Sequence, residues 1–285
     1  MTHVLKCAAT FATYCYVSLV GFLWIAQRRF QYFPSRESPP SICSLPSVFQ
    51  QICTFEVLTK DKLRLKGWLW SRELNGALSH IFILHLHGNA GSRLHRLDWA
   101  YRVRTRFGCT VALFDYRGYG GNDGYVSEDG LIEDAVAAIT WAHNQALQTH
   151  QKLVLHLESI GSAVGINALM RTPIELRISG IVSEGGLSSC SDLAKNMFRY
   201  LPIELIMKDK WCNTLSSAKC LSRNTHFLSL HGQNDSIVPL WSGRRLYEAV
   251  SCEKKMFHEF GEGGHNDLMY QPSYFATLEK FFKSL

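Results

Sequence analysis

KLVLHLESIGSAVGINALM, residues 152–170, is the stretch on which the reading of this chain turns. Its first half is a short apolar run of Leu and Val of strand length, and from Gly161 small and aliphatic residues continue at helical spacing to about residue 171. A strand therefore passes straight into a helix with Ser159 at the corner. The same succession recurs on either side. Strands are predicted at 80–88, 110–118, 177–185, 225–232 and 254–260, and helices at 92–107, 128–148, 241–250 and 267–284; Leu131, Ala135, Ala138, Ile139 and Ala142 share one face of the second helix. Alternation of this kind needs crossover connections, which make a mostly parallel sheet covered by helices on both faces. Two earlier runs, 52–59 and 62–70, joined at Lys60-Asp61, read as an antiparallel pair and bring the sheet to eight strands. The fold class is α/β.

Composition removes several alternatives. The chain has 285 residues with 30 Lys and Arg against 24 Asp and Glu, and three of the basic groups (Lys6, Arg28, Arg29) lie in the first 33 residues, where no acid occurs. The remaining surplus is scattered, with no basic run to track a phosphate backbone, so no nucleic-acid partner is expected. Nine cysteines, widely spaced and without a C-x-x-C pair, write neither a disulfide framework nor a zinc site.

Loops leaving the carboxyl ends of parallel strands converge on one edge of the sheet, where polar groups from distant segments can meet. A serine on a strand-to-helix corner is pushed out of the sheet, with its hydroxyl at the positive end of the helix. Ser159 alone also fits a structural helix cap. Two later loops change its meaning: HGQNDSIVP (231–239) carries Asp235, and GEGGHND (261–267) carries His265, each following a strand. Together they supply a nucleophile, a base and a carboxylate to orient the base, in chain order Ser, Asp, His. As single residues, Asp235 could cap the helix that follows, and His265 could be a surface residue or cap the last helix. HGNAGS (87–92) follows a further strand, and the N–H of Asn89 with that of Ile160 forms the expected oxyanion hole. His87 reads as a packing or hydrogen-bonding residue of that loop, and Asp115 as a buried carboxylate holding a turn.

The segments HLHGNAGS, DYRGYGGNDG, HGQNDSIVP and GGHND, with LPIELIMKDKW at 201–211, resemble the α/β-hydrolase superfamily, and within it the BEM46-like and ABHD13-like membrane-anchored serine hydrolases. The resemblance runs from about Phe30 to the carboxyl terminus and implies an α/β-hydrolase fold with Ser159, Asp235 and His265 as a catalytic triad and no metal or organic cofactor. Two positions depart from the family's pattern: Leu157 replaces the first glycine of G-x-S-x-G, and Ser162 stands where a further glycine is frequent. A leucine there threatens to crowd the approach of helix to strand.

The 21 residues between Lys6 and Arg28 carry no formal charge, and as a helix span roughly 30 Å, the thickness of a bilayer's hydrocarbon core. Trp24, Arg28 and Arg29 supply the aromatic and cationic boundary of such a span. A cleaved signal peptide is the alternative, but Trp24-Ile25-Ala26 lacks the pair of small residues that cleavage needs. The expected organisation is an anchor at 1–33, a Pro- and Ser-rich linker at 34–51, and a hydrolase domain at 52–285 with a short helical lid at 186–224. Flanking charges lean the domain toward the cytoplasm, while the sequon Asn234-Asp235-Ser236 leaves topology open. Apolar residues of the lid, among them Leu193, Met197, Phe198 and Ile206, either line an acyl pocket or pack on the sheet. The expected substrate is thus a small-molecule or lipid acyl ester or thioester. Two other functions remain: a non-catalytic scaffold on the same fold, and an aminopeptidase-like hydrolase with Glu158 or Glu184 recognising an amine.

Overall fold

In a computed structural model that describes residues 2–173 and 176–285, eight strands form one sheet. They are β1 (Cys53–Leu58), β2 (Arg64–Trp70), β3 (Ile81–Leu86), β4 (Thr110–Phe114), β5 (Lys152–Glu158), β6 (Gly180–Glu184), β7 (His226–Gly232) and β8 (Lys255–Phe260). Their spatial order is β8-β7-β6-β5-β3-β4-β2-β1, with β1, β2 and β4 successively antiparallel and every other pair parallel.

The period of two within the strands divides the core into two layers. In β3, Phe82, Leu84 and Leu86 face one layer while Ile81 and Ile83 face the other. The first layer is covered by α3 (Glu128–Gln148), α4 (Ile160–Leu169) and α8 (Leu240–Ala249), and the second by α2 (Leu97–Phe107) and α9 (Tyr274–Lys283). Ser127 caps α3 by accepting the Gly130 N–H at 3.1 Å, and Gly108 ends α2 at φ 66°, a conformation glycine adopts without strain. The helix expected over 267–284 is broken. A single turn at Leu268–Tyr270 is followed by extended Gln271 and then Pro272, which forbids α geometry in the residue before it, so α9 starts at Tyr274.

α1 (Thr2–Gln31) is long and apolar enough to cross a bilayer, and its exposed side chains include Phe11, Tyr14, Val17 and Phe22. The residues after it lie along the body rather than hanging free. Phe33–Pro34 pair with Ala90–Gly91, and Gly120 N–H donates to the Ser35 carbonyl at 2.7 Å. Between β6 and β7 the chain forms three short helices, α5 (Cys190–Met197), α6 (Ile203–Ile206) and α7 (Thr214–Ala218), the first two against the carboxyl-terminal half of α1.

Candidate active site

Ser159 leaves β5 and opens α4 with φ 54° and ψ −120°, a left-handed backbone that costs a non-glycine residue roughly 1–3 kcal/mol. The neighbours hold it there. Ser159 N–H donates to Glu184 O at 2.7 Å, and its own carbonyl accepts from the Ser162 hydroxyl at 2.7 Å. Ser162, at the position where the family pattern has glycine, thus fastens the corner, and its hydroxyl also accepts the Leu187 N–H at 3.2 Å. A Cβ on Gly161 would come within 2.3 Å of the Leu86 carbonyl, so α4 can approach β3 only because no side chain is present.

Leu157 is fully buried in the same contact. A Cβ at Gly165, one turn into α4, would lie 2.5 Å from Leu157 Cδ2. The missing glycine on the strand is therefore matched by a glycine on the helix, and the crowding expected of Leu157 is relieved from the other side.

The serine of the corner and the aspartate and histidine of the two loops meet. Ser159 Oγ lies 2.9 Å from His265 Nε2, and His265 Nδ1 lies 2.6 Å from Asp235 Oδ2. The other oxygen of Asp235 accepts the N–H groups of Ile237 and Val238 at 2.9 and 2.8 Å. An acceptor-only carboxylate facing Nδ1 makes that nitrogen the donor, which leaves Nε2 to accept the serine hydroxyl. Burial opposes the charge on Asp235, but the bonds from His265 and the Val238 amide outweigh it and hold the carboxyl below its usual range. Gly185, at φ 57°, lies under the imidazole: a Cβ there would be 3.0 Å from His265 Cε1. Sequence reasoning passed over this residue, although a Gly-Gly pair at a strand end is a signal for close approach.

The loop after β3 lies against the corner, since a Cβ on Gly88 would sit 2.9 Å from Glu158 Oε1 and 3.4 Å from Ser159 Cβ. Asn89 is held by Nδ2 donating to Gln31 O at 3.0 Å, and its carbonyl accepts from Phe33 N–H and the Tyr119 hydroxyl, both at 2.9 Å. The N–H groups of Asn89 and Ile160 have no hydrogen-bonded acceptor among the described residues. His87 is engaged within its own loop. It is buried, donates Nδ1–H to Gly88 O at 2.7 Å and packs on the rings of Tyr116 and Tyr119. Asp115 is buried as well, accepting the Arg93 N–H at 2.5 Å and pairing with its guanidinium.

Two chambers flank the site. One, of about 490 Å³, is apolar and runs from Asn89 and Ile237 between α1 and the α5–α6 segment. The other, of about 460 Å³, has a mixed lining, with His265, Arg96, Glu158, Glu184 and His156 beside Trp99 and Met269.

No protein-family model matches this chain. It is 30% identical over 269 residues to Protein bem46 of Schizosaccharomyces pombe, covering 92% of this chain and 87% of that one. It belongs to the BEM46-like branch of the α/β-hydrolase superfamily. A relative in Saccharomyces cerevisiae, described as an uncharacterized membrane protein, is 31% identical over 79% of this chain and 77% of its own. The lysophosphatidylserine lipase ABHD12 of Macaca fascicularis is 30% identical over 70% of this chain, which spans 53% of that lipase. Among solved structures, an esterase of Pyrococcus furiosus superposes with a TM-score of 0.66 at 18% identity, covering 88% of this chain and 98% of the esterase. That likeness is one of fold.

In this BEM46-like chain the two carboxylates weighed as amine recognisers already have partners. Arg96 grips Glu158 with Nε at 2.9 Å and Nη2 at 2.5 Å, and His85 Nε2 lies 3.1 Å away. Burial favours the neutral acid, but the guanidinium and these bonds prevail and hold Glu158 well below the usual carboxylate range. Glu184 accepts the Tyr274 hydroxyl at 2.6 Å, and that oxygen in turn accepts Trp99 Nε1–H at 2.8 Å. Burial lowers His85 to about 4, so it is a neutral link between Glu158 and His156, 3.0 Å from the latter. Sequence reasoning missed this network. Its signal was present, because His85 and His156 are polar interruptions of two apolar strands and occupy paired positions in register.

Proposed function

We propose that this protein is a serine hydrolase, anchored to a membrane through α1, that cleaves acyl esters or thioesters of lipid-like substrates. Ser159 Oγ attacks the acyl carbonyl while His265 Nε2 takes its proton. The resulting oxyanion is bound by the N–H groups of Asn89 and Ile160, roughly 3–4 kcal/mol for a donor of this kind. The intermediate then expels the alcohol or thiol, to which His265 returns the proton, leaving the acyl group on Ser159. Water, deprotonated by the same imidazole, releases the acid and restores the serine. Asp235 keeps the ring in the tautomer and orientation required and stabilises its charged form.

The observation that carries this reading is the unbroken chain Ser159–His265–Asp235, held at 2.9 and 2.6 Å on a strained strand-to-helix corner. The apolar chamber beside Asn89 supports an acyl substrate, as do an ABHD12 relative described as a lysophosphatidylserine lipase and a yeast relative described as a membrane protein. The amine-recognising reading is weakened because Glu158 is neutralised by Arg96 and Glu184 is engaged by Tyr274. A fluorophosphonate probe tests the proposal on the full chain: it should label the protein, the label should map to Ser159, and Ser159→Ala should lose it. A protein that folds and resists the probe is a scaffold.

A further inference from the structure

The apolar chamber has two walls of different origin. Leu23, Gln27 and Phe30 come from α1, and Leu193, Met197 and Ile206 from the segment above the sheet. The helix assigned to the membrane is therefore part of the site as well as its tether.

The seam between the walls has an ordered polarity. At the end near Arg28 it is closed by polar contacts. Gln27 Nε2 donates to Ile206 O at 2.8 Å, Lys208 N–H donates to Gln27 Oε1 at 2.6 Å, and Arg28 pairs with Asp209 at 2.7 and 3.0 Å. Lys208 Nζ sits 4.0 Å over the Trp24 ring. These are the aromatic and cationic groups expected at a bilayer interface.

Toward the amino end of α1 the contact continues to Tyr16, whose hydroxyl donates to Tyr200 O at 2.7 Å. At 1.5 Å per residue this point lies about 16 Å along the axis from Gln27. A loop beside Tyr16 is thus below the interface, in the half of the bilayer adjoining Arg28. Its surface matches that depth: Met197, Phe198, Tyr200 and Leu205 are 65%, 50%, 92% and 84% exposed. Irregular backbone inside hydrocarbon needs its polar groups satisfied from within the protein, and Tyr16 does this for the Tyr200 carbonyl. Of the charged residues between 196 and 207, Glu204 is paired with Lys195, and Arg199 has the long stem that lets a guanidinium reach the interface.

We propose that the 197–206 segment is a second membrane contact seated in the same leaflet as α1, and that the chamber takes the acyl chain of a bilayer lipid entering sideways between them. The inference rests on the membrane-anchored hydrolase reading and names the route and source of its substrate. A volume of about 490 Å³ is within the range of small-molecule sites, roughly 300–1,000 Å³. Asn89 at the inner end would place the carbonyl of a chain lying there next to the Ser159 corner.

The test uses the full chain carrying Ser159→Ala, reconstituted in phosphatidylcholine vesicles with a trace of phosphatidylcholine bearing a diazirine near one acyl terminus. After irradiation, peptide mass spectrometry should find adducts on Leu23 or Leu193 as well as on outward-facing Tyr200 and Leu205. Ala194→Trp, which fills the chamber, should reduce the chamber adducts at least tenfold and leave those on Tyr200 and Leu205. Adducts confined to α1, with 190–207 unlabelled, would overturn the proposal. So would chamber labelling indifferent to Ala194→Trp, or equal labelling by a short water-soluble diazirine ester without vesicles. Because the variant has no nucleophile, the readout is binding. Chamber labelling in a protein whose native form never hydrolyses an acyl ester would refute the hydrolase reading and leave the lipid site standing.

Discussion

Ser159 holds φ 54° although it has a side chain, and the strain belongs to the corner rather than to the hydroxyl. Ser159→Ala keeps the strain and Ser159→Gly removes it, while glycine's extra freedom in the unfolded chain returns about half of the gain. We expect the glycine variant to be the more stable of the two by about 1 kcal/mol in denaturant titrations in detergent; equal stability would mean that the corner relaxes without cost. Gly185 gives the complementary case. Gly185→Ala demands a positive φ of alanine and brings a methyl to 3.0 Å from His265 Cε1, so the ring must move. Small displacements of a catalytic group cost on the order of a hundredfold in rate, and kcat and the rate of fluorophosphonate labelling should fall together by about that factor.

Between β5 and α4 the packing is reciprocal, and this reverses an intuition drawn from the motif. Leu157→Gly would restore the common G-x-S-x-G pattern, yet it empties a site that Gly165 has shaped for leucine. The expected cost is about 3–5 kcal/mol, the transfer loss plus the cavity. Gly165→Ala is also destabilising, because its methyl meets Leu157 Cδ2 at 2.5 Å. In the double variant Leu157→Ala/Gly165→Ala, part of the cavity is filled and the clash is gone. A double-mutant cycle should therefore show a favourable coupling of about 1–2 kcal/mol; strict additivity would remove the compensation argument. The Arg28–Asp209 pair tests the docking of α1 in the same manner. Asp209 is buried and Arg28 half-exposed, so Arg28→Ala strands a carboxylate, and amide exchange in 197–208 should quicken by about tenfold or more.

Across the chain as one body, buried imidazoles set the response to acid. Burial lowers His85 to about 4 and His87 to about 3, the latter helped by the charge of Arg96. Both are therefore neutral in the folded protein at pH values where the unfolded chain, with histidines near 6.5, already binds a proton. The unfolded state takes up more protons over that window, so stability is fully present above pH 6.5 and is lost as pH falls toward 4. The slope is about 1.4 kcal/mol per pH unit for each such histidine. Denaturation at pH 6.0, 5.0 and 4.5 should show this decline, and His87→Gln should flatten it by one histidine's share. An unchanged slope would mean that the loop opens to water before the chain unfolds.

Much of this architecture was readable before any coordinates, because the decisive signals were local. Strand and helix periods, a serine between an apolar run and a run of small residues, and Gly-containing loops after strands are short-range patterns. Parallel topology then brings the loops to one edge whatever the sequence in between. The break before α9 was also within reach, since Pro272 is plainly written. What the linear chain left undetermined concerns pairs of segments far apart along it. Strands buried on both faces are apolar almost everywhere, which hides which side each residue faces; hence the relief of Leu157 by Gly165 and the His85–Glu158–Arg96 network emerged only on folding. The length and apolarity that let α1 cross a bilayer are local, but no local pattern records that its last turns wall a chamber with residues some 170–180 positions later. That partnership depends on how the body packs, and only the packed chain supplies it.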